Sequence, residues 1–133
     1  MEQELNQILL ELGMDPCGSR REFQWLKEVI GLAVCQPSAW QESYLELIGM
    51  REGITRERVR QILYRVVWDH WTPQSAQILS NHFGRPVQTQ FERVKPNHIE
   101  FVNLLAEKLL EKYGAVFEQV QSNRRVNYIK SEV

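Results

Sequence analysis

From Thr55 to Arg65 the chain reads TRERVRQILYR, which brings Thr55, Arg56, Glu57, Arg58, Arg60, Gln61, Tyr64 and Arg65 into one short stretch. These side-chain types match the edges of nucleic-acid bases. Arginine donates twice to guanine, glutamine bonds both edge groups of adenine, and glutamate accepts from cytosine. Between Arg51 and Arg65 stand five Arg and two Glu, a local charge of +3 in a chain of net charge -1. The positive charge is therefore placed in one stretch, whereas a general polyanion binder is basic throughout.

No other chemistry is signalled. His70, His82 and His98 are scattered, and no nucleophile, base and orienting group fall together, so no catalytic residue is assigned and an enzyme is not expected. Cys17 and Cys35 lack CxxC spacing and a nearby histidine cluster. Neither a metal site, a disulfide framework nor a cofactor is expected.

The reading stretch needs a rigid carrier. The Thr55 hydroxyl can cap a helix start, and no Gly or Pro interrupts the chain from there to Trp71, which predicts a long helix. Val59, Ile62, Leu63, Val66 and His70 recur on one stripe and are expected to be buried. Glu57, Gln61, Tyr64, Arg65 and Trp68 face the other way, flanked by Arg56, Arg58 and Arg60. Upstream, Leu45, Leu47 and Ile48 predict a short apolar helix stopping near Gly49, with Gly53 in the tight turn that follows. Tyr44 to Trp71 thus has the pattern of a helix-turn-helix.

The remaining elements are also helical. Leu5, Ile8, Leu9 and Leu12 mark a helix over 3–12 that ends at Gly13. Ser19 and Glu22 have capping-box spacing ahead of Phe23, Leu26, Val29, Ile30, Ala33 and Val34, and Pro37 ends that helix. Ser38 is a candidate cap for the third helix, and Thr72 with Pro73 a cap and first-turn pair for the fifth, which Gly84 closes. Asn97 and Glu100 open a sixth helix whose Ile99, Phe101, Val102, Leu105, Ala106, Leu109, Leu110 and Tyr113 form a wide apolar arc up to Gly114.

The expected fold is all-α, with about six helices in residues 1–114 and a C-terminal extension over 115–133. That extension is compatible with a hairpin or with continued helix, and a lone hairpin is barely stable. A length of 133 residues suits one domain. No apolar run approaches the roughly twenty residues of a bilayer span, and the acidic start lacks the basic n-region of a signal peptide, so a cytoplasmic location without membrane contact is expected. Residues 1–15 hold Glu2, Glu4, Glu11 and Asp15 and no basic residue, an end expected to point away from DNA.

Two resemblances sharpen this reading. GITRERVRQI resembles the DNA-reading helix of region 4 of the housekeeping sigma factors. This resemblance implies base contacts from Arg56, Glu57, Arg60 and Gln61, with Thr55 and Arg58 nearer to phosphate. ILLELGM, WLKEVIGLAV, the helix-turn-helix, ILSNHFG and above all KPNHIEFVNLLAEKL resemble the C-terminal effector domain of the stage-zero sporulation response regulators, over roughly residues 4–113.

The second resemblance implies a transcription regulator that binds double-stranded DNA as paired domains and acts on initiation, with RNA polymerase or a sigma factor as further partners. Its reading positions fall on Glu57, Arg58, Arg60, Gln61, Tyr64 and Arg65. Gln61 and Tyr64 stand where the family has Arg, and Arg60 where it has an acid, which implies the same fold reading a different sequence. Family members also carry a phosphorylated receiver domain, for which these residues leave no room. The expectation is either a stand-alone regulator or a part of a longer chain.

Two other readings compete with the sporulation-type regulator. One is a promoter-binding factor of the sigma region 4 type. The other is an interaction module for another regulator or RNA polymerase, anchored by Trp40, Trp68 and Tyr128.

Overall fold

The computed structural model describes residues 2–15, 18, 20–87 and 95–113. The helices are α1 (Glu2–Glu11), α2 (Arg21–Cys35), α3 (Trp40–Glu52), α4 (Arg56–His70), α5 (Ser75–Phe83) and α6, which spans residues 98–113. The fold is all-α, with six helices and no strand among the described residues. Cys17, Ser19, Tyr128 and the extension over 115–133 lie outside those residues.

Local signals explain several helix ends. The Asn97 side chain accepts from Glu100 N–H at 2.8 Å while the Glu100 carboxylate accepts from Asn97 N–H at 3.3 Å, so the expected capping box opens α6. Gly84 (φ 68°) closes α5 in the left-handed conformation that a side chain disfavours.

Other ends differ from expectation. The third helix does not stop near Gly49 but continues to Glu52, and Gly49 is buried inside it. Ser38 does not cap it. Residues 37–39 form a turn in which Ala39 and Trp40 N–H both bond the Gln36 carbonyl, leaving Ala39 at the cap without a side-chain bond. Thr72 and Pro73 likewise precede α5, which begins at Ser75 after Gln74. The Thr72 hydroxyl accepts from Gln74 N–H and faces the Ser75 hydroxyl, which itself accepts from Thr72 N–H. The start of α2 also differs, because Arg20 is its cap and engages the Glu22 carboxylate.

The core is one cluster of buried apolar side chains drawn from all six helices. α2, α3 and α4 pack on one another, and α1 packs on α5. α6 is the central strut, where Phe101 is fully buried and meets the Trp71 ring edge-on at 6.2 Å. It also completes α3. Trp40 Nε1 donates to Asn103 at 3.0 Å, and the Tyr44 hydroxyl meets His98 Nε2 at 2.8 Å. At the far end, Glu4 of α1 accepts from Lys112 and Tyr113 of α6.

Candidate nucleic-acid interface

A reading helix must be held at a fixed angle with one face free. α3 and α4 meet through a turn in which Gly53, at φ 69°, takes the left-handed conformation and donates, together with Ile54 N–H, to the Gly49 carbonyl. The absence of a side chain at Gly49 allows this approach, since a Cβ there would lie 2.9 Å from the Ile54 carbonyl oxygen. Thr55 then caps α4 as expected, its hydroxyl accepting from Arg58 N–H at 3.1 Å.

The buried stripe of α4 is Val59, Leu63, Val66 and Val67. Ile62 is only half-buried, and Val67 takes the place expected of it. His70 is also half-buried rather than core, with its ring edge-on to Phe23 at 5.1 Å and Nδ1 2.8 Å from the Val66 carbonyl.

The structure brings all eight candidate residues onto one turn and helix, where they separate into three groups. Arg56 and Arg60 lie toward α3. Arg56 reaches Glu46 at 3.3 Å, and Arg60 bonds Glu57 at 2.6 Å. Arg60 also acts electrostatically on Tyr44 and His98. Burial, with a smaller contribution from Arg60, pushes His98 down to about 4, while burial raises Tyr44 against the opposing pull of Arg60. Gln61 is exposed and also borders the cleft that the third group lines. Arg58, Tyr64 and Arg65 lie on the wall of an open cleft of about 880 Å³, whose other wall is Arg20 and Glu22 before and within α2. Arg58 and Arg65 form no ion pair among the described residues.

Two contributors were not visible in the stretch itself. Arg20 faces α4 across the cleft, and Lys95 places Nζ 4.7 Å above the Trp68 ring while bonding the Trp68 carbonyl at 3.1 Å. Their distance along the chain from α4 leaves no periodic signal. Arg51 turns out not to belong to the reading face, since it is held by Glu28 at 2.6 Å and by Glu52. The acidic end is likewise occupied elsewhere. Glu2, Glu4 and Glu11 engage Lys27, Lys112 and His82, none of them on α4.

Of the three candidate protein anchors, one is placed differently from expectation, and Tyr128 lies outside the described residues. Trp40 is fully buried and cannot serve as one, whereas Trp68 is exposed. No group of three or more His, Cys, Asp or Glu side chains suited to a metal occurs among the described residues. None of the described helices is long and apolar enough to cross a membrane. Comparison with family models, with curated proteins and with solved structures finds no match to this chain.

Proposed function

We propose that the protein is a sequence-specific DNA-binding regulator of transcription, which inserts α4 into the major groove. One observation carries this reading: the outward face of α4 presents Glu57, Arg58, Gln61 and Arg65 to solvent, on a helix fixed to α3 by a close turn. That is the arrangement by which a second helix reaches base edges while the first crosses the backbone. Arg20 and Lys95 on the two flanks are suited to phosphate, which supplies affinity rather than sequence choice. The resemblance to sporulation effector domains agrees with this reading and extends it to pairs of domains on repeated sites, near RNA polymerase. No catalytic role is proposed.

The test is selection from a random duplex library at stated salt, followed by single-base variants of the recovered site. Enrichment of one sequence is expected, with affinity that falls steeply as salt rises because bound arginines release counterions. Arg60→Ala should cost about 1–3 kcal/mol and flatten the preference at one base pair, and Gln61→Ala should relax a neighbouring pair. Wild-type affinity and ranking in both variants would remove α4 as the reading element.

A second reading has its own observation. Leu47 and Met50 are exposed one turn apart on α3, at 50% and 77%, as an interaction module for another regulator or polymerase would require. A chain that enriches no duplex but loses a protein partner on Leu47→Glu would favour it.

A further inference from the structure

The outward line of α4 changes character along its length. Its first turns carry charged and amide groups, whereas its last carries the indole of Trp68, 37% exposed. A large apolar ring on a helix face otherwise built for water is informative only if it is held in place. This ring is held from several directions. Tyr64 stacks on it with centroids 5.8 Å apart and planes 15° apart. Lys95 lies over it and is itself fixed by its bond to the Trp68 carbonyl. Each contact reduces the rotamer freedom that the ring would otherwise lose on binding.

In the major groove the apolar group available to such a ring is the C5 methyl of thymine. Trp68 is seven residues beyond Gln61, about 10 Å along the helix axis, a rise matching roughly three base-pair steps. Resting on the DNA-binding reading above, we propose that Trp68, stacked on Tyr64 and covered by Lys95, is a specificity-determining residue. It reads a thymine methyl about three base pairs from the pair that Gln61 contacts. Lys95, lying over the same ring, then faces the phosphate flanking that thymine.

The experiment replaces each thymine of the selected duplex, one at a time, by deoxyuridine, which removes the methyl and keeps the base pairing. Wild-type protein should lose about fourfold in affinity at one position, the effect of one methyl no longer buried. Trp68→Ala should bind the unmodified duplex more weakly and show no further loss at that position, while Trp68→Phe, which keeps an apolar ring, should retain part of it. Circular dichroism of both variants checks that α4 persists, and the wild-type scan stands without any variant. Selective binding that is indifferent to deoxyuridine at every position overturns the proposal and leaves the DNA-binding reading intact. A methyl effect of equal size in Trp68→Ala also overturns it. Failure of the library to enrich any duplex overturns both.

Discussion

α4 and α6 are helices of nearly equal length that use their surfaces in opposite ways. α6 buries His98, Phe101, Val102, Leu104, Leu105, Ala106 and Leu109, leaving few positions to solvent, whereas α4 buries only Val59, Leu63, Val66 and Val67. At about 1.5–3 kcal/mol for each large apolar side chain removed from water, five such side chains and Ala106 on the strut contribute more to folding than the four on the display helix. A helix with most of its circumference exposed cannot also anchor the domain. The anchoring is moved to α6, which reaches α3, the partner of α4, through Asn103 and His98.

This division can be tested by perturbing each side. Phe101→Ala, in the centre of α6, should destabilise the domain by about 3–5 kcal/mol in a urea melt, since its ring is fully buried. Acid should act on the same helix through His98. Its folded-state value of about 4 lies below the ordinary 6.5, so its contribution is complete above pH 6.5. As the pH falls, the unfolded chain takes up a proton first, and stability declines between 6.5 and 4, on the order of 3 kcal/mol in all. Melts from pH 7 to 5.5 should show this decline in the wild type and a flatter profile in His98→Asn.

Smaller effects belong to the display side. Gly49→Ala forces a Cβ against the Ile54 carbonyl and should cost about 1–3 kcal/mol, with weaker DNA binding as the turn opens. Arg65→Ala should change stability by less than about 0.5 kcal/mol. If its guanidinium meets phosphate, the same variant should lower the salt slope of binding by about one. A large stability loss in Arg65→Ala, or none in Phe101→Ala, would break the division between strut and display helix.

Legibility in the sequence followed the range of the interactions. The Thr55 cap and the Asn97–Glu100 box join residues three apart, and both were readable because the partners and the helix start occupy one window. Ser38 and Thr72 looked equally suitable, but neighbouring turns took over their roles, with backbone bonds to the Gln36 carbonyl in one case and a bond from Thr72 N–H to the Ser75 hydroxyl in the other. Gly49 read as a stop because a glycine's local meaning is flexibility, whereas here its value is the missing side chain beneath a crossing backbone. Trp40 read as a surface anchor because its partner, Asn103, lies 63 residues away. The eight candidate residues lie together because a helix and its cap carry them, but the pairing of Arg60 with Glu57, the cleft opposite Arg20 and the Lys95 cover over Trp68 depend on orientation and tertiary placement.

The bonds from Trp40 to Asn103 and from Tyr44 to His98 also impose an order in time. Two aromatic side chains that seat the first arm of the helix-turn-helix receive their polar partners only from residues 54 and 63 positions later. During synthesis at roughly 5–20 residues per second, the nascent chain waits about 3–13 seconds between making Trp40 and making Asn103. α4, complete only at His70, spends the later part of that interval without the strut that seats its neighbour. The segment from α3 to α4 is therefore not a cassette expected to keep its form when excised. Its ordered form arrives with the last helix, and a truncation before residue 98 should yield a chain that contains every candidate residue of α4 and holds none of them in register.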